Sequence, residues 1–199
     1  MRGYYDAGNS DRLNSGWVPV NGSAEQVDHI QRDVIRARAR DLERNSDIAE
    51  GIIGPLERNV VGTGIMMQAK VVKPDGSEDE ELNQQIEDLW KEWCRPRNCD
   101  VTGQQAFWEM QAMAVRRLRV DGGIFFIKSY TNFGPVPFSL QAREVDELDT
   151  SLQALPGLER KNRIVGGIEM DLYNKPVAYH FKQYSPDGFW TGKTERVEA

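Results

Sequence analysis

The fold of this chain is decided by the stretch from Arg40 to Gly64, whose sequence is RDLERNSDIAEGIIGPLERNVVGTG. A first helix is predicted to end near residue 45, where Ser46 or Asp47 can accept hydrogen bonds from the free N–H groups of a second helix. The second helix carries one apolar stripe at helical spacing, formed by Ile48, Ile52, Ile53, Leu56 and Val60. Glycines at positions 62 and 64 are expected to end it, and a strand is predicted to follow.

A proline interrupts this second helix. The pair Gly54-Pro55 lies near its middle, and proline removes a helical hydrogen bond and crowds the preceding turn. The sequence therefore predicts a kink or a broken turn at this point.

Upstream of this stretch, residues 1–22 are rich in Gly, Asn, Ser and Asp. This composition predicts an irregular, flexible arm. Its aromatic residues Tyr4, Tyr5 and Trp17 are candidates for contact with a neighbouring subunit. Ser23 with Gln26 forms a capping box that opens the first helix.

The first helix carries a basic ridge of four arginines spaced by four positions: Arg32, Arg36, Arg40 and Arg44. One interpretation is contact with phosphate groups or with an acidic neighbour. The other is a solvated helix face, and it is favoured because acidic residues are interleaved with the arginines. These acids are Asp28, Asp33, Asp41 and Glu43.

Downstream, residues 65–72 alternate in the manner of a half-buried strand. A capping box at Ser77 opens a helix whose buried stripe is predicted to be Leu82, Ile86, Leu89, Trp90 and Trp93. A capping box at Thr102 opens the next helix, with an inward face of Phe107, Met110, Ala114 and Leu118. Arg116, Arg117 and Arg119 crowd its last turn, where they complement the helix dipole. Contact of these three arginines with DNA is the second interpretation.

The remaining chain has the two-residue periodicity of strands. Strands are predicted at 124–130, 138–145, 167–173 and 177–184, with a polar loop at 146–163. The chain divides into an arm (1–22), a helical part with one strand near 65–72 (23–122), an antiparallel β part (123–190) and a tail (191–199). This order of elements predicts an α+β fold, with a helical N-terminal half packed with an antiparallel β-rich C-terminal half.

Composition excludes several classes of protein. The 199 residues are 39% hydrophobic and 28% charged, as expected of a globular chain. No apolar run approaches the roughly 20 residues that span a bilayer, and the N-terminus lacks the apolar core of a secretory signal. We therefore expect no membrane partner and a cytoplasmic location. The net charge of −6 argues against a protein whose whole surface binds nucleic acid.

Catalytic and metal sites find little support in the sequence. An acidic cluster, Glu144, Asp146, Glu147 and Asp149, could serve an enzyme or a cation, although a solvated loop is the favoured interpretation. Cys94 and Cys99 are too few for a zinc site and are expected to be free thiols. We predict no catalytic residue, no metal and no cofactor.

Four sequence blocks resemble, in order, the N-terminal part of lambda-family tailed-phage portal proteins. The first joins RDLERNSD, from Arg40, to NVVGTG, from Asn59. The second is LRVDGGIFFI, from Leu118, and the third is FSLQAREVDELD, from Phe138. The fourth joins NRIVGGIEMD, from Asn162, to KPVAYH, from Lys175.

The resemblance implies a structural role in the ring through which phage DNA is packaged and ejected. By this resemblance the chain is expected to correspond to the wing, with a tail that leads towards the stem of longer family members. The implied partners are other subunits, in a ring that is a dodecamer in the full-length protein, capsid or scaffold proteins, terminase, head-completion proteins and double-stranded DNA. The implied location is the host cytoplasm during assembly and then the capsid vertex. The alternative hypothesis is a free-standing nucleic-acid-binding module that uses the basic ridge Arg32–Arg44.

Overall fold

The computed structural model of the chain describes Arg12 and residues 15–19, 21–132, 134–157 and 161–199. Helices occupy the N-terminal half and antiparallel sheets the C-terminal half, which confirms the predicted α+β class. None of the helices in these ranges is both long and apolar enough to cross a bilayer. Tyr4 and Tyr5 lie outside the described residues, and the side chain of Trp17 is 67% exposed.

Six helices form the described helical half. They are α1 (Ala24–Asp28), α2 (Arg32–Asn45), α3 (Asp47–Val61), α4 (Glu80–Trp93), α5 (Pro96–Cys99) and α6 (Phe107–Val120). The Ser23–Gln26 capping box is confirmed, and the hydroxyl of Ser46 caps α3 by accepting from the N–H of Ala49. The first predicted helix is divided, because a turn separates α1 from α2.

The broken turn predicted at Gly54-Pro55 is wrong, since α3 runs without interruption from Asp47 to Val61. The alternative, a kink at this point, stays a prediction. Gly54 is the buried residue of this helix, and α3 packs along α6 at this level. Packing of this kind can offset the one hydrogen bond that proline removes.

The strand predicted at 65–72 is also wrong. Residues 65–71 belong to no sheet, and Val72 makes only an isolated bridge to Glu78. The predicted two-residue alternation is nevertheless present, because Met67, Ala69 and Val71 are half-buried while their neighbours are exposed. The segment lies along helices α4 and α6, and side chains of these helices accept hydrogen bonds from three of its backbone N–H groups.

An aromatic core joins α4, α6 and the first sheet. Trp93, Cys99 and Met110 are buried, and the rings of Trp90, Phe107 and Phe138 pack around Trp93. The buried stripe predicted for α4 is only partly correct, because Leu82 and Leu89 are 39% and 44% exposed. The inward face predicted for α6 is also only partly correct, because Leu118 is 56% exposed. The chain as described provides nothing that covers the outer side of these helices.

The capping box predicted at Thr102 is wrong, because α6 begins at Phe107. The carboxylate of the buried Asp100 instead accepts hydrogen bonds from the backbone of Thr102, Gln104 and Gln105 and from the Thr102 hydroxyl. Glu109 accepts the N–H of Ala106 and caps the start of α6.

The described strands form two antiparallel sheets. β1 (Phe125–Ser129) pairs with β2 (Ser139–Arg143), and a short 3-10 turn, Val145–Glu147, follows. The second sheet has the order β3 (Arg163–Val165), β4 (Ile168–Met170), β5 (Pro176–Tyr184) and β6 (Trp190–Glu198). The prediction missed β3, and the segment predicted as a tail at 191–199 is almost entirely β6.

The β3–β4 hairpin depends on a glycine pair. Gly166 and Gly167 both have positive φ, at 57° and 79°, in the two-residue turn. A Cβ atom at position 167 would lie 2.6 Å from the carbonyl oxygen of Asp149, so only glycine fits there. The two sheets meet through Phe125, whose ring lies 5.1 Å from the rings of Tyr179 and of the buried Phe181.

Candidate functional site: an arginine–carboxylate network between the two halves

The basic ridge of α2 faces the protein. Arg36 is 8% exposed and forms ion pairs with Asp146 and, at 3.5 Å, with Asp33. Arg40 donates from Nε to Oδ1 of Asp121 at 2.5 Å, and its NH2 atom lies 2.5 Å from Oδ2 of Asp146. The partners of the two central ridge arginines therefore come mainly from residues 121–146, in a distant part of the sequence.

The two ends of the ridge differ from its centre. Arg32 pairs with Glu25 of α1 at 2.7 Å. The side chain of Arg44 is exposed, and it has no ion pair within the part of the chain that the structure describes. The favoured interpretation of a solvated face paired with interleaved acids is thus wrong for Arg40, and for Arg36 it is correct only in the 3.5 Å pair with Asp33.

A second set of ion pairs ties α6 to α2 and α3. Arg116 contacts three glutamates, Glu43 at 3.0 Å, Glu50 at 2.9 Å and Glu57 at 2.8 Å. Arg117 pairs with Glu43 and, at 3.0 Å, with Asp121. Arg119 is exposed and makes no ion pair among the described residues. Together these contacts form one network across α2, α3, α6 and the 3-10 turn.

Asp121 lies at the centre of this network. Its side chain is only 2% exposed, and it accepts from both Arg40 and Arg117. A buried carboxylate is costly unless charged donors satisfy it, and here two guanidinium groups do so. Asp121 directly follows α6, so this pairing fixes the passage from α6 into β1 against α2.

The predicted acidic cluster supplies the partners of the basic ridge. Asp146 pairs with Arg36 and Arg40, Glu147 with Arg143 at 2.7 Å, and the buried Asp149 accepts from Ser151. The interpretation of a solvated loop is therefore wrong for these three residues, whereas Glu144 remains largely exposed.

The electrostatics favour the charged forms of three members of the network, Asp146, Arg40 and Arg116. Burial opposes ionisation of Asp146, but its hydrogen bond with Arg36 and the positive charges of Arg36 and Arg40 outweigh this effect and lower its pKa. The hydrogen bond to Asp121 is the largest of the effects that raise the pKa of Arg40. The hydrogen bond to Glu50, followed by those to Glu57 and Glu43, raises the pKa of Arg116. Asp146, Arg40 and Arg116 are therefore charged at physiological pH.

Two glycines of the opening stretch have definite structural tasks. Gly62 has a positive φ of 56° where α3 ends. Gly64 has a φ of 87°, and a Cβ atom there would lie 2.7 Å from Cβ of Trp108 in α6. The sequence NVVGTG thus ends α3 and lets the chain pass close to the start of α6.

A further buried carboxylate lies in the second sheet. Glu169 accepts from Arg196 at 2.8 Å and from Asn162 at 2.7 Å, and His180 lies 3.5 Å away. The hydrogen bond from Arg196, with that from Asn162, lowers the pKa of Glu169 to about 2. This arrangement holds β4, β5 and β6 together through charged hydrogen bonds.

Cysteine and metal chemistry find no support here. Cys94 and Cys99 are free, and burial raises the pKa of both thiols, that of Cys99 to about 11. A thiol with a raised pKa is a poor nucleophile and a poor metal ligand. Within the described ranges, no three His, Cys, Asp or Glu side chains are grouped so that they could hold a metal ion.

Three of the four sequence blocks quoted above contribute to the arginine–carboxylate network or to the helix packing around it. The first block supplies Arg40, Glu43 and the glycines, the second supplies Asp121, and the third supplies Asp146. The sequence profile described as "Phage portal protein, lambda family" matches residues 10–199 of the chain. The chain belongs to the lambda family of phage portal proteins.

A curated relative agrees with this family assignment. The chain is 35% identical over 181 residues to the "Probable portal protein" of Halomonas phage phiHAP-1. The alignment covers 88% of this chain and 34% of that protein. The chain thus spans about a third of the length of this portal protein.

Proposed function

We propose that this chain is a structural part of a phage portal ring, the channel at one capsid vertex through which DNA is packaged and later ejected. In this proposal it forms part of the wing and catalyses no reaction. The observation that carries the proposal is the mutual contact of the family sequence blocks. Arg40 of the first block forms ion pairs with Asp121 of the second block and Asp146 of the third.

The same network argues against a free-standing nucleic-acid-binding module. Arg32, Arg36 and Arg40 of the ridge, and also Arg116 and Arg117, already pair with carboxylates of this chain. Only Arg44 and Arg119 of the seven predicted nucleic-acid contacts are exposed. We propose that any contact with DNA is made through these two and is weak.

Contacts between subunits are assigned to the N-terminal region. Several large apolar residues of α2, α3 and the preceding turn are more than half exposed, which is unusual for a surface that stays in water. They are Ile30, Ile35, Leu42, Ile48 and Ile52. We propose that residues 24–64 lie near a subunit boundary, and that Tyr4, Tyr5 and Trp17 reach the adjacent subunit.

The remaining partners follow from the ring. Capsid or scaffold proteins, terminase and head-completion proteins are proposed to meet the assembled portal, first in the host cytoplasm and then at the capsid vertex. Terminase binding is assigned to parts of the portal outside this wing segment. The net charge of −6 is compatible with a wall past which DNA moves without being held.

The proposal is tested by deleting from the phage the gene that contains this region and supplying that gene from a plasmid. We expect capsids without packaged DNA after deletion, and restored packaging with the wild-type plasmid. A plasmid encoding Asp121→Leu, which leaves Arg40 and Arg117 without their buried partner, should restore packaging poorly. DNA-filled infectious particles after the deletion would contradict the proposal.

A further inference from the structure

Residues 65–71 form an extended segment whose one edge is bound by side chains. The N–H of Ile65 donates to Oε1 of Gln111 in α6 at 3.0 Å. The N–H of Ala69 donates to Oε1 of Glu87 in α4 at 3.1 Å, and the N–H of Val71 donates to Oδ1 of Asn83 at 2.7 Å. Asn83 also returns a hydrogen bond to the carbonyl of Val71.

The spacing of these bonds shows that the backbone is strand-like. Glu87 and Asn83 are four residues apart in α4, which separates them by about 6 Å along the helix axis. Their backbone partners, Ala69 and Val71, are two residues apart, and two residues of a strand span about 6.6 Å. The segment therefore runs along α4 with the rise and alternation of a β-strand.

The other edge of this strand-like segment has no partner in the described chain. In an extended chain, N–H groups of successive residues point to opposite edges, so those of Met66, Gln68 and Lys70 point away from Glu87 and Asn83. No backbone hydrogen bond from these three occurs among the described residues. The side chains of Ile65 and Met66 are 64% and 83% exposed.

A free strand edge with exposed apolar side chains is a template for another strand. Small ligands or DNA would leave alternating N–H and carbonyl groups unpaired, whereas a second strand pairs them all. In a closed ring each flank of a subunit meets a different surface of an identical subunit. The ring of the proposed function therefore supplies a second copy at such an edge.

We propose that residues 65–71 pair with a strand of a second copy of this chain, and that the donor is the outer edge of β6. This inference rests on the proposed ring. Strand β6 lies at the edge of its sheet, is nine residues long, and has mostly exposed side chains. Charge does not oppose the pairing: Lys70 and Lys73 are the charged residues of 65–73, and the charged residues of β6 balance one another, namely Lys193, Glu195, Arg196 and Glu198.

The test uses proline at an outward N–H. Gln68→Pro removes a donor that has no partner within the described subunit, so the monomer should unfold in urea as the wild type does. Assembly into portal rings should fall by about tenfold or more, because the pairing between copies loses a backbone hydrogen bond. Gln68→Ala changes only the side chain and should assemble normally. Ala69→Pro removes an inward N–H that Glu87 binds and should destabilise the monomer itself.

Hydrogen exchange of wild-type monomers and rings completes the test. We expect the amides of residues 66–70 and of β6 to exchange freely in the monomer and to become protected together in the ring. The inference would be overturned if residues 66–70 were already protected in the monomer, or if they became protected in the ring while β6 did not. Normal ring assembly by Gln68→Pro would overturn it as well. Failure of the wild type to enter any portal ring would instead overturn the proposed function.

Discussion

The Nε atom of Arg40 lies 2.5 Å from Oδ1 of Asp121, although the two residues are 81 positions apart in the chain. This ion pair joins α2 to the point where α6 passes into β1. The side chain of Asp121 is 2% exposed, whereas that of Arg40 is 26% exposed, so the carboxylate is shielded from water more completely than the guanidinium group. The bond connects two sequence blocks by which the chain resembles its family.

Removal of Arg40 should destabilise the protein. Arg40→Ala leaves the buried Asp121 with Arg117 alone, and we expect a loss of about 3 kcal/mol in the free energy of unfolding. Urea melts followed by tryptophan fluorescence measure this loss. Arg44→Ala, at the exposed end of the same ridge, is the matched control and should change stability by less than about 0.5 kcal/mol.

The double variant separates the pair from its surroundings. Arg40→Met combined with Asp121→Leu removes both charges and should recover part of the stability that Arg40→Ala loses. An equal loss of unfolding free energy in Arg40→Ala and Arg44→Ala would show that the Arg40–Asp121 pair does not stabilise the fold.

The aromatic core gives a second prediction. Trp93 is 6% exposed, and its indole N–H donates to the carbonyl of Phe138 at 2.8 Å. Trp93→Ala should cost about 3–5 kcal/mol, because it opens a cavity and removes this bond. Leu82→Ala on the exposed side of the same helix should cost less than about 1 kcal/mol in the isolated chain. Similar losses in the two variants would mean that the buried face of α4 is wrongly assigned.

Stability should fall in acid. The pKa of Glu169 is lowered from an ordinary value of 4.5 to about 2, chiefly by Arg196 and Asn162. The unfolded chain therefore binds this proton more tightly, so the stability present above about pH 4.5 is lost as the pH falls towards 2. Urea melts between these limits should show the loss, with Asp146 acting in the same direction. Glu169→Gln should flatten the dependence, and an unchanged slope in this variant would contradict the role of Glu169.

DNA binding by the isolated chain should be weak. Five of the seven arginines considered for this role already pair with carboxylates. A mobility-shift assay at two salt concentrations should show no complex near micromolar concentration of the chain, and Arg44→Glu with Arg119→Glu should change little. Micromolar affinity that weakens steeply with salt would favour the nucleic-acid-binding module instead.

Much of the fold follows from local signals in the sequence. The caps at Ser23 and Ser46 and the helix end at Gly62 each depend on residues of the same turn, so the sequence pattern alone predicts these helix boundaries. The alternation at 65–72 correctly predicts an extended backbone, but alternation does not show what that backbone binds. Here the partners are side chains of α4 and α6, which no local pattern reveals.

The arginine–carboxylate network could not be predicted in the same way. The interleaved acids Asp33 and Glu43 suggested local pairing, but Arg36 and Arg40 select Asp146 and Asp121 once the halves pack. The signal that could have revealed this was the presence of a basic ridge and an acidic cluster in one chain. Similarly, the exposure of Leu82 and Leu89 could not be foreseen, because periodicity marks an apolar side without showing what covers it.

The central claim, that this chain is a structural part of a portal ring, is tested most directly by cryo-electron microscopy of purified virions reconstructed without imposed icosahedral symmetry. The account predicts density for this fold at a single capsid vertex, repeated around a closed ring, with Arg40 and Asp121 in contact inside each subunit. Absence of the chain from purified virions, or its presence at every vertex of the shell, would contradict it.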